Sequence, residues 1–185
     1  MRIRLASALI ALCLSPFASH AQTAPQSAAS APLLDLDRTT SQSAFPIVAA
    51  SHAAAIYIAP QSPETVRVAA EAFAEDVARV AGVKPRILTS LAAPLPANLI
   101  VVGVLGHAPE IDSLRAAHRL VTTAVDGKWE AAETATILNP PPALLPGVHL
   151  ALVIAASDRR GAAYALFTLS RQMGVSPWKI GRAHV

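Results

Sequence analysis

Two stretches of this chain are apolar on both alternations. Asn98-Leu99-Ile100-Val101-Val102-Gly103-Val104-Leu105 and Leu150-Ala151-Leu152-Val153-Ile154-Ala155 offer almost no polar face to water. Side chains along a strand alternate between the two faces of a sheet, so runs like these suit strands covered on both sides. Helices must then lie over both faces of a central sheet, which makes the chain an α/β protein.

The segments around those runs supply the layers. Phe45–Val48 and Ala54–Ala59 read as short strands with a turn near Ser51-His52. Ser62 is an expected N-cap and Pro63 an expected first helical residue. Val66, Ala70, Phe73, Val77 and Val80 then recur three and four apart, one apolar helix face. Glu64, Arg67, Glu71, Glu75 and Arg79 take the solvated side, with Glu75 and Arg79 spaced for an i,i+4 ion pair. Gly82 and Pro85 end the helix, and Arg86–Thr89 is a further strand. Pro109 opens a second helix, with Ile111, Leu114 and Leu120 on its buried side. Lys128–Leu138 reads as a β segment entered through Trp129 and ended by Pro140-Pro141-Pro142. Ser157-Asp158 leads into a third helix burying Ala163, Leu166, Phe167, Ser170 and Met173, stopped by Gly174. The expectation is a single layered α/β domain with a mixed, mostly buried sheet and about three covering helices. Sheet order stays open, and both the first hairpin and Lys128–Leu138 could enter antiparallel.

The ends differ in character. Met1-Arg2-Ile3-Arg4, the apolar run Leu5–Leu14 and Ser19-His20-Ala21 form the pattern of a cleaved secretory signal over residues 1–21. Its apolar core is too short for a bilayer span, which needs about 20 residues. The reading predicts a secreted or periplasmic protein beginning at Gln22, with no membrane contact after cleavage. Residues 22–44 are a flexible Ala/Ser/Pro linker. The folded domain then runs over residues 45–179. Ile180-Gly181-Arg182-Ala183-His184-Val185 reads like one frame of a translated sequencing adapter, so residues 180–185 are expected to be a non-native tail and the chain a fragment.

Those boundaries decide the charge argument. The whole chain carries a net +3, but Arg2 and Arg4 lie in the leader and Arg182 in the tail. Residues 22–179 hold 12 basic and 12 acidic side chains, so no basic surface remains for a nucleic acid. With 53% apolar and 15% charged residues, the chain is also no disordered charged tail. The sole cysteine, Cys13, is in the leader, which leaves no disulfide framework, thiolate metal site or cysteine nucleophile.

No catalytic constellation emerges from spacing. His52, His107, His118 and His149 lack any paired metal-ligand pattern, so no metal and no cofactor are expected. Gly103-Val104-Leu105-Gly106 follows a strand but lacks the G-x-G-x-x-G spacing, and reads as a tight strand-to-helix turn. Ser157 stands outside a G-x-S-x-G elbow. Glu64, Glu110 and Asp112 suit helix first turns, and Glu75-Asp76 a solvated helix flank.

Several segments together resemble the N-terminal domain of glycoside hydrolase family 115, the xylan alpha-(1→2)-glucuronidases. They are Phe45–Val48, Ile56-Tyr57-Ile58, Asp76–Pro85, Val101–Gly106 with Ile111-Asp112, and Gly127-Lys128-Trp129-Glu130. The most specific are Ala151–Tyr164, containing Ser157-Asp158-Arg159-Arg160-Gly161, and Leu169–Trp178. Ala156 stands where the family usually has Gly, and Tyr164-Ala165 where it has Tyr-Gly. The resemblance implies an accessory domain of an inverting glycosidase that removes (4-O-methyl)glucuronic acid side chains from glucuronoxylan. Its intramolecular partner would be a (β/α)8 barrel holding the catalytic carboxylates, so no catalytic residue is assigned to this chain. Asp158, Arg160 and Trp178 are the candidate substrate-binding residues. A helix N-terminus with arginines at the carboxyl end of a strand could meet a uronic acid. Against that, Asp158 could be only an N-cap, Arg160 could contact the barrel, and Trp178 could pack at the domain interface. The alternatives are a stand-alone secreted α/β binding or structural module, or an accessory domain of a family 67 glucuronidase or a hexosaminidase.

Overall fold

The computed structural model describes residues 44–92 and 94–175. The leader, most of the linker, the tail and Trp178 lie outside the described residues. The elements run β1 (Val48–Ala49), β2 (His52–Ala53), β3 (Ala55–Ile58), α1 (Glu64–Ala81), β4 (Ile87–Leu88) and β5 (Asn98–Val104). They continue with α2 (Pro109–Ala116), β6 (Ala132–Leu138), β7 (Leu150–Ala156) and α3 (Arg159–Gln172).

The two fully apolar runs become β5 and β7, which pair in parallel through seven residues, from Asn98↔Leu150 to Val104↔Ala156. They occupy the interior of a five-stranded sheet ordered β4-β3-β5-β7-β6. β3, β4, β5 and β7 are parallel, and β6 joins β7 antiparallel at the edge, so the sheet is mixed as expected. Alternate residues feed two cores. Ile56, Ile58, Ile100, Val102 and Ile154 pack beneath α1 and α3 with Val66, Phe73, Leu166 and Leu169. Tyr57, Leu99, Val101, Ala151 and Val153 face the other way, against Ile111 and Leu114 of α2 and the loop residues Leu145 and Val148. Phe73 is fully enclosed, which contributes roughly 1.5–3 kcal/mol of transfer free energy.

The first hairpin turns one residue earlier than expected. Ala50 and Ser51 both adopt positive φ (47° and 62°), the geometry that a two-residue turn needs to follow the strand twist. β1 and β2 form a separate antiparallel ribbon.

Five sequence expectations are corrected. The residue capping α1 is Pro63, without a side-chain cap bond, and Ser62 Oγ is buried with no partner. Glu75 reaches Lys84 beyond the helix end, while Arg79 binds Asp76 at 2.6 Å. Asp76 is buried, not solvated, and Val80 is half exposed. β6 starts at Ala132, since Lys128–Ala131 turns across the N-terminus of α3 and leaves Trp129 outside the ladder. Gly82 does end α1: its φ of 74° lets its N–H reach Ala78 O at 2.9 Å.

Candidate functional site

The segment singled out in the sequence, Ser157–Gly161, lies where β7 hands over to α3. Asp158 occupies the N-cap of α3, in extended backbone. Its Oδ1 accepts the backbone N–H groups of Arg160 and Gly161, both at 2.8 Å. Its Oδ2 accepts a third, from Glu130 at 2.7 Å. The Gly161 and then the Glu130 N–H favour the ionised form and hold this carboxyl below the usual carboxylate range. The carboxylate therefore caps α3 and also ties the 129–131 turn to it.

Ser157 makes the second tie. Its backbone N–H donates to Ala131 O at 2.9 Å, and its hydroxyl both accepts from Ala131 N and donates to Ala131 O at 3.1 Å. Gly161 permits the close approach. A Cβ there would lie 2.4 Å from Ala131 O. Glu130, at φ 53°, bends back so that its Oε1 meets Arg160 Nη1 at 2.8 Å. Arg160 also donates to Tyr164 Oη at 3.2 Å, with its Cζ 5.9 Å from the ring centroid. Asp158 and Arg160 are thus brought together, with Glu130 and Tyr164 as partners; Trp178 lies outside the described residues.

Beside this clasp is an open hollow of about 360 Å³ between β6 and α3. Glu130, Glu133, Thr134, Gly161, Tyr164 and Thr168 are among its lining residues. Sequence reasoning did not find Glu133 and Tyr164 as neighbours, and no local signal could have done so, because they come from separate elements of the chain.

The Gly103–Gly106 turn serves packing. A Cβ on Gly103 would sit 2.4 Å from Ala108 Cβ, so this glycine lets α2 approach β5. The Gly106 N–H donates to both Asp112 oxygens at 3.0 and 3.1 Å. The chain's own carboxylate thus takes the amide that a phosphate would need. At the start of α2, Tyr57 donates to Glu110 Oε1 at 2.8 Å, and burial followed by that carboxylate pushes its phenol well up. Among the described residues no group of three or more His, Cys, Asp or Glu could hold a metal, and no helix is long and apolar enough to cross a membrane.

No family model matches the chain, and no curated protein matches it significantly. A solved structure does. It is described as a novel family 115 4-O-methyl-alpha-glucuronidase with specificity for decorated arabinogalactans. The match has a TM-score of 0.52 and 26% sequence identity, and covers 68% of this chain. It bears out the family 115 resemblance read from the sequence. The chain spans 14% of that enzyme's length.

Proposed function

We propose that this glycoside-hydrolase-related domain is a non-catalytic accessory domain of an exported alpha-glucuronidase that removes (4-O-methyl)glucuronic acid side chains from glucuronoxylan. The likeness to a solved glucuronidase of the same family carries this reading. The disposition of the acidic residues supports it. Inverting hydrolysis needs a general acid and a general base about 6.5–9.5 Å apart across the sugar, with the acid free to give a proton. Among the described residues, Glu64, Glu71, Glu75, Asp76, Asp126 and Glu130 are held by arginine or lysine, Glu110 by Tyr57, and Asp112 and Asp158 by backbone amides, which leaves Glu133 as a single unpartnered carboxyl where inversion needs two. In this reading the catalytic pair belongs to a barrel in a longer polypeptide, and the leader over residues 1–21 directs export. A substrate uronate approaching Arg160 would have to displace Glu130, so Asp158 and Arg160 act first on the fold.

Decorated arabinogalactan is a second substrate class, favoured by the described specificity of the similar enzyme. The test is to incubate the purified 185-residue chain with each polysaccharide and assay released 4-O-methylglucuronic acid. The expected result is no release from either above background. Turnover by the chain alone would place a working acid–base pair within it and overturn the accessory reading.

A further inference from the structure

The hollow between β6 and α3 has a use for a ligand that the clasp beside it does not explain. Glu133 Oε2 is buried there without a hydrogen-bond partner, an arrangement that costs free energy unless a donor arrives. Thr134, Thr168 and Tyr164 add hydroxyl groups that can donate or accept. Tyr164, which lines the hollow, is 46% exposed. An aromatic ring left in water at the wall of a hollow that is mostly apolar with a few polar groups is a common anchor of a binding site. The hollow is open and of about 360 Å³, within the size range of small-ligand sites.

Charge selects among ligands. Glu130 and Glu133 line the hollow, and the nearby cation, Arg160, is already bound to Glu130 and Tyr164. An anion would meet like charge, whereas hydroxyl groups can donate to the carboxylates in charge-assisted bonds. We propose that this hollow is a binding site for the neutral, hydroxyl-rich backbone of a glycan, with Tyr164 as the ring against which a sugar packs and Glu133 as its hydrogen-bond acceptor. The site would hold the undecorated main chain while the uronic acid branch is presented elsewhere. It rests on the glycan-acting reading above, and it specifies which part of the glycan this domain takes.

The test is NMR titration of the 185-residue chain with xylohexaose, galactohexaose and glucuronic acid. The account expects xylohexaose, galactohexaose or both to shift amide resonances in the 130–134 and 161–168 segments. Tyr164→Ala and Glu133→Gln should each weaken that binding about tenfold, a loss of about 1.4 kcal/mol. Both side chains are at least partly exposed, and unchanged chemical shifts elsewhere would confirm that the variants are folded. Three results would each overturn the proposal: no shifts with either hexasaccharide, binding that both variants leave intact, or binding of glucuronic acid alone with loss in Arg160→Ala. None of these would touch the accessory-domain reading, which depends on the release assay.

Discussion

Gly161→Ala is expected to destabilise the domain by about 2–3 kcal/mol, an overpacking cost that outweighs the usual benefit of alanine in a helix. In an ordinary helix interior the same change would stabilise by about 0.5–1 kcal/mol. The opposite sign follows from one distance. The new Cβ would lie 2.4 Å from Ala131 O, with Ala131 C and N at 3.0 and 3.1 Å. Those atoms are backbone, so no side-chain rotation relieves the contact. Ala131 is also fixed by its bonds to Ser157, and the turn before it by the bond from Glu130 to Asp158. Helix and turn must therefore separate, and the clasp must open. Thermal unfolding followed by circular dichroism should show a melting temperature lower by roughly 8–12 °C for a domain of this size. An unchanged or raised melting temperature would mean that the 129–131 turn does not sit against α3.

Asp158→Ala should cost about 2 kcal/mol or more, and its cost should depend on pH. The substitution leaves three backbone N–H groups without their acceptor: Arg160, Gly161 and Glu130. Loss of the cap alone is worth about 1 kcal/mol, and the stranded Glu130 amide adds to it. The Gly161 and Glu130 amides hold the carboxyl below its ordinary value in the folded protein. A depressed folded pKa means that the carboxylate contributes fully above the unfolded value of about 4 and that this contribution is lost as pH falls through the lower folded value. The stability gap between the wild type and Asp158→Asn, measured by urea unfolding, should be widest near neutrality and close below about pH 4. A gap that persists unchanged in acid would show that the charge plays no part in the cap.

Much of the architecture was legible because it rests on period and punctuation. The doubly apolar runs gave β5 and β7 their interior places, and the Val66–Val77 spacing gave α1 its buried face. Asp158 read correctly as an N-cap candidate because capping is decided within three residues. What stayed hidden depended on distant partners. Asp76 looked solvated from its helix position, yet it is buried in the folded domain. Glu75 had two basic side chains in reach, and chain direction after Gly82 brought Lys84 rather than Arg79 into its bond. The strand expected to begin at Lys128 was delayed to Ala132 because Ser157 and Asp158 capture the preceding turn. Nothing local in Gly127-Lys128-Trp129-Glu130 announces that capture. The hollow was invisible for the same reason: its two walls are β6 and α3, separated in sequence by the whole of β7.

The central claim is that this domain works beside a catalytic domain in a longer glucuronidase, and reading the genomic frame past the codon for Lys179 tests it most directly. The account predicts an open frame of several hundred residues containing a (β/α)8 barrel, whose expressed product releases 4-O-methylglucuronic acid where the 185-residue chain does not. A native stop codon at that point, or an extension without a second domain, would contradict it.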